Sequence, residues 1–97
     1  MAKVYVITHE RTDEHGDIKC SYVNGVYKTL DSARSEIEKT RDEYRTDNTI
    51  AIIGESWNLG DYPYYEASYI EKYYLETYGE KRVVNIKYNI EEYELAG

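Results

Sequence analysis

Residues 61–80 read DYPYYEASYIEKYYLETYGE, and the conformation of this stretch decides the fold. Ala67, Ile70, Tyr74 and Tyr78 are spaced by three, four and four, as on one helical face. Pro63 suits a first helical turn and Gly79 the position just past a helix end. A strand here needs Glu66, Ser68, Ile70, Lys72 and Tyr74 on one side, a poorer division of polar from apolar groups. Helix is the better of the two readings, though both stay open for residues 64–78.

Upstream, the pattern of residues 3–9 is a strand. Val4, Val6 and Thr8 alternate with Tyr5, Ile7 and His9, and both faces carry apolar groups, so a central position is expected. Glu10 to Gly16 reads as a hairpin loop, and Asp17 to Val23 as an antiparallel partner with Ile18, Cys20 and Tyr22 on one face. Asn24-Gly25 tolerates positive φ and fits either a tight hairpin or a bulged long strand continuing through Val26 and Tyr27, the bulge being the better reading.

Thr29 can cap a helix from Leu30 to Arg45 with Asp31 in its first turn. Leu30, Ala33, Ile37 and Tyr44 form its apolar stripe, and Arg34–Glu38 and Lys39–Glu43 are ion pairs on the wet side. Thr49 to Ile53 predicts a buried strand stopped by Gly54, with Trp57 in the loop beyond. Val84, Ile86, Tyr88 and Ile90 form the core face of a last strand, and a bulge at Glu91-Glu92 would return Tyr93 and Leu95 to the core. The expected class is α+β. Its order is β-β-α-β-α-β, a mainly antiparallel four-stranded sheet with two helices, forming one domain over residues 1–97.

The chain of 97 residues carries a net charge of −7, with 13 tyrosines and no phenylalanine. Such a charge repels nucleic acid and anionic membrane and favours basic surfaces. No apolar run approaches the roughly 18 residues that span a bilayer, and the N-terminus does not resemble a secretory signal. A cytoplasmic protein is expected. Cys20 is the only cysteine, which excludes an internal disulfide and reads as a small buried hydrophobe.

Catalytic and metal signatures are weak. His9, Glu10, Asp13, Glu14, His15 and Asp17 gather near the first loop, but their spacing matches no ligand motif. Glu91-Glu92 and Asp42-Glu43 are neighbours in sequence, which point to different sides and make no acid–base dyad. Gly54 and Gly60 belong to no phosphate loop. No enzyme activity, cofactor or metal is expected.

The feature that stands out is again residues 61–80, which hold seven tyrosines and five acids against one base. Carboxylates meet arginine and lysine, and tyrosine rings bury area against their stems at low entropic cost. The expected partner-binding residues are Trp57, Asp61, Tyr64, Tyr65, Glu66, Tyr69, Glu71, Tyr73, Glu76 and Glu80.

Three pieces of the chain carry a resemblance: Val4 to Glu10, then Gly25-Val26-Tyr27 leading into the helix with Ala33 and Ile37, then Tyr88 to Leu95. Together they resemble a β-β-α-β domain of small bacterial and phage proteins whose last strand ends in a Tyr-x-Leu step. The resemblance covers about half of the chain and implies a phage or bacterial origin. It also implies that residues 46–84 are an added element. The expected function is inhibition of a nucleic-acid-binding host defence complex, a CRISPR effector or restriction nuclease, by an anti-CRISPR-like protein with an acidic, nucleic-acid-mimicking surface. The alternatives are a sponge for a signalling nucleotide and a homodimeric assembly protein.

Overall fold

The computed structural model describes residues 2–95. Two long strands open the chain, β1 (Lys3–Asp13) and β2 (Ile18–Tyr27), followed by α1 (Leu30–Thr46). Then come β3 (Ile50–Asn58), β4 (Tyr64–Glu71), the short α2 (Lys72–Tyr78) and β5 (Val83–Glu94). The strands form a single five-stranded sheet in the order β2-β1-β5-β4-β3, and every neighbouring pair is antiparallel.

The fold class is α+β as expected, but the sheet has five strands rather than four. Residues 64–71 are strand β4, and only residues 72–78 are helical. Tyr65, Ala67 and Tyr69 face inward, and Tyr64, Glu66 and Ser68 face the other way. The apparent helical spacing of Ala67, Ile70, Tyr74 and Tyr78 straddles the true boundary at Glu71. Tyrosine favours strands, and β4 has a partner on each side, β3 and β5, which a local reading does not contain. Pro63 is buried just before β4 instead of opening a helix. Gly79 does end α2, in the left-handed conformation at φ 67°.

Other boundaries move as well. β1 runs on to Asp13, and the hairpin turns at Gly16, whose φ is 83°. The bulge lies at Asn24: Ile7 pairs with Gly25 and Thr8 with Val23. Gly25 does not use positive φ there. A Cβ on it would meet the Tyr27 ring at 2.7–3.0 Å, so the missing side chain makes room for that ring. A second shift puts Ile18 opposite Thr12, away from the face of Cys20 and Tyr22. Cys20 is half-buried rather than buried.

β3 is an edge strand, not a buried one, and it extends to include Trp57. β5 pairs with β1 without a register shift through Tyr93, so no bulge returns Tyr93 and Leu95 to the core. Both are about half exposed.

Helix α1 begins as expected. The Thr29 hydroxyl oxygen accepts from the Ser32 amide at 3.1 Å. Lys39 reaches Glu43 at 4.0 Å, but Arg34 pairs with Asp31 at 2.6 Å instead of with Glu38. Ala33, Ile37 and Thr40 are buried against one face of the sheet. The core beneath α1 is Ile7, Tyr65, Ala67, Tyr69, Val84, Ile86 and Tyr88, with Tyr44 packed against it. The molecule measures 55 × 25 × 16 Å. Layers packed face to face need about 10 Å each, so there is no third layer. The second face of the sheet stays open, and α2 buries no residue.

Candidate functional site

The expected contact residues do not share one surface. Tyr65 and Tyr69 lie under α1, at 0% and 6% exposure, and belong to the core. Tyr64 and Glu66 lie on the open face, where the Tyr64 hydroxyl is 2.8 Å from that of Ser56. Glu71 points to the helix side and pairs with Arg11 at 3.1 Å. Tyr73 and Glu76 stand exposed on α2, and Asp61 in the β3–β4 loop. Glu80 pairs with Arg82 at 2.7 Å. Trp57 lies beneath two arginines of α1, with Arg41 and Arg45 at 5.1 and 5.3 Å from its ring centroid. Burial and alternation on a strand divide what a helix would have gathered.

The polar first loop does not assemble a metal centre. His9 is buried, stacked on Tyr88 with ring centroids 4.3 Å apart, and its Nδ1 is 2.8 Å from the Tyr22 hydroxyl. Burial and the nearby Arg11 hold its pKa below the usual imidazole value, so the ring is neutral. His15 stands exposed beside Glu14 at 3.7 Å. Among the described residues no three His, Cys, Asp or Glu side chains converge on a possible metal position. Among the described residues no helix is long and apolar enough to cross a membrane.

Two concave regions lie on opposite faces of the sheet. The open face carries a shallow polar trough of about 500 Å³ over β1, β5, β4 and β3, lined by Glu10, Ser56, Glu66, Ser68, Asn85 and Lys87 among others. Lys87 sits in register between Glu10 and Glu66, so its charge is partly matched.

The second is a cleft of about 420 Å³ between α1 and the sheet. Its wall is made by Tyr44 and Thr40 of α1, Tyr69 of β4, Tyr88 of β5 and the bulge residue Asn24 of β2. Glu36, Glu43 and Asp47 complete it, with no lysine or arginine among the described lining residues, although the Lys72 charge acts on Asp47. The Tyr44 ring centroid is 6.0 Å from that of Tyr69 and 6.1 Å from that of Tyr88. Desolvation raises the hydroxyl pKa of all three tyrosines, so they are neutral at ordinary pH. Hydrogen bonds from Thr49 lower the Asp47 pKa, so that group is charged.

The sequence pattern marked Tyr44 and Tyr88 only as core positions. The available signal was chemical: two tyrosines and Thr40 stand where a core stripe would otherwise hold aliphatic side chains. Burying a hydroxyl requires a partner or a wet edge. Comparison of the chain with protein-family models, curated proteins and solved structures finds no match in any of the three.

Proposed function

We propose that this domain is a non-catalytic binding protein that occupies the basic, nucleic-acid-binding surface of a partner protein. The partner class is a bacterial defence complex, a CRISPR effector or restriction nuclease, and the outcome is inhibition by charge mimicry. One observation carries this reading: the surplus negative charge is unmatched. Glu36, Asp61 and Glu76 make no ion pair among the described residues, and Glu10 and Glu66 have the single charge of Lys87 in register between them. Unpaired carboxylates spread over both faces are available to a cationic surface and repel nucleic acid.

The test is a panel of such nucleoproteins assayed for target-DNA binding with and without this protein. Inhibition should appear for a member of the panel and weaken tenfold or more between about 50 and 300 mM salt, as exposed charges are screened. DNA loaded first should block it. Charge reversal by region, at Glu36, at Glu10 with Glu66, or at Glu76, would locate the contact. Binding that ignores salt and all of these reversals would refute the mimicry.

Self-association is a second reading, favoured by the uncovered sheet face. Ile18, Val23 and Val26 of β2 are each about 60% exposed there, and β2 is an edge strand. Light scattering at millimolar concentration would show a dimer that Val23→Lys separates. A monomer at that concentration would exclude it.

A further inference from the structure

The geometry points to the apolar end of the uncovered sheet face as the seam of a homodimer, in which a second copy of this chain packs face to face and supplies the missing layer. This deepens the self-association reading above, rests on it, and is independent of the charge mimicry.

The patch is built by register. Val6 lies opposite Val26 on one side and Glu91 on the other, Val4 lies opposite Tyr93, and Thr8 lies opposite Val23. Residues directly opposite in a ladder share a face. Ile7, between Val6 and Thr8, is buried in the core beneath α1, so these neighbours project from the open side. The Leu95 amide donates to the Ala2 carbonyl at 2.8 Å, which carries the ladder one step further. Alternation then sets Leu95 beside Tyr93. Val4, Val6, Val23, Val26, Tyr93 and Leu95 form one contiguous surface across β2, β1 and β5. Val23 and Val26 are 58% and 60% exposed, and Tyr93 and Leu95 50% and 49%.

At this end β1 carries apolar side chains on both faces. Tyr5 and Ile7 point toward the helix, and Val4 and Val6 point away from it. Such a pattern belongs to strands covered on both sides, and α1 covers only one.

Charge and area select what completes the second side. Glu91 is the charged residue in register within the patch, and its carboxylate already accepts from the Tyr93 hydroxyl. The patch therefore asks for no cation, unlike the carboxylates elsewhere on the surface. A flat aliphatic sheet face is complemented by another of the same pleat and twist, as in aligned sandwiches. A second copy provides that face when a two-fold axis runs along β1. β2 of each copy then lies over β5 of the other. Three strands about 4.8 Å apart, over ten residues of about 3.3 Å rise, give a footprint of roughly 500 Å² per copy. Two footprints make about 1,000 Å², the size at which an interface becomes specific while staying reversible. The aliphatic groups form its core, and Thr8, Glu10 and Lys87 its polar rim.

The experiment is sedimentation equilibrium of the intact protein from about 10 μM to 1 mM, with methyl NMR over the same dilution series. A reversible dimer with Kd of about 10–500 μM is expected. Each copy carries −7, so raising salt from about 50 to 500 mM should tighten the dimer several-fold by screening the repulsion. The contact in the proposed function loosens with salt instead. Methyl shifts on dilution should be confined to Val4, Val6, Val23, Val26 and Leu95, with exposed Leu75 of α2 as the unmoved control. Val26→Lys and Leu95→Lys should each raise Kd at least tenfold. Both sites are exposed in the single copy, so the urea midpoint of the dilute protein should barely move.

Three results would overturn the seam. A dimer that ignores both substitutions, and in which the outward amides of β2 gain protection from hydrogen exchange, pairs edge to edge; self-association then stands without this surface. A dimer that loosens as salt rises is held by charge rather than by the patch. A monomer at 1 mM removes the seam and self-association together and leaves the charge mimicry to its own test.

Discussion

Tyr44 of α1 and Tyr88 of β5 meet hydroxyl to hydroxyl at 3.0 Å, the hydrogen bond that ties the helix to the middle of the sheet. Tyr88 is 6% exposed, so its hydroxyl has little access to water. Tyr44→Phe should destabilise the fold by about 1–2 kcal/mol, because it leaves that hydroxyl unpaired. The double change with Tyr88→Phe should cost less than the sum of the two singles. Urea unfolding of the four proteins in this cycle measures the difference.

The same burial sets the alkaline limit. Tyr44, Tyr65, Tyr69 and Tyr88 all have hydroxyl pKa values raised, chiefly by desolvation. In the unfolded chain tyrosine ionises near 10. Above that pH the unfolded chain releases protons that the folded one keeps, so stability falls as pH rises. Each such group contributes a slope of up to about 1.4 kcal/mol per pH unit. Unfolding free energies measured from pH 9 to 12 should steepen accordingly, and Tyr65→Phe should remove one group's share.

On the acid side the relevant group is His9. Its folded pKa lies below the unfolded value of about 6.5, first through desolvation and then through Arg11. As pH falls below 6.5 the unfolded chain takes up a proton that the folded ring refuses, and stability declines until the folded pKa is passed. Its Nε2 is buried without a partner. His9→Phe should therefore flatten the stability profile between about pH 5 and 7, at the loss of the bond to Tyr22.

Glu55 links the edge strand to the core and to α1. It accepts from the Tyr65 hydroxyl at 2.9 Å and pairs with Arg45 at 3.2 Å. Glu55→Gln keeps an acceptor but loses the charge, and should cost about 1 kcal/mol. Glu55→Ala strands the Tyr65 hydroxyl and should cost about 2–3 kcal/mol. The order of the two unfolding midpoints in urea is the check.

Trp57 reports on the same edge, since it is the chain's only tryptophan. Replacing both Arg41 and Arg45 by alanine uncovers its ring. Its emission should shift to longer wavelength and its quenching by iodide should rise, while the fold persists. Each cation over the ring contributes about 0.5–1 kcal/mol at an exposed site.

Local chemistry was enough for much of this protein. The Thr29 cap, the stripe of Ala33 and Ile37 and the end of α2 at Gly79 depend on neighbours three or four residues away, and the pairing of β1 with β2 and the bulge beside Gly25 belong to one hairpin of adjacent segments, so all are written in local patterns. Net charge and the weight of tyrosine are properties of the sequence outright. What only the tertiary structure decided is residues 64–71. Their backbone is a strand because β3 and β5 supply hydrogen-bond partners on both sides, and those partners come from distant parts of the chain. That one change sends Tyr65 and Tyr69 inward and Tyr64 and Glu66 outward. It breaks up the contact surface expected of a helix. It also brings Tyr69 beside Tyr44 and Tyr88, 25 and 19 residues away in sequence, to form a cleft that no local pattern announces.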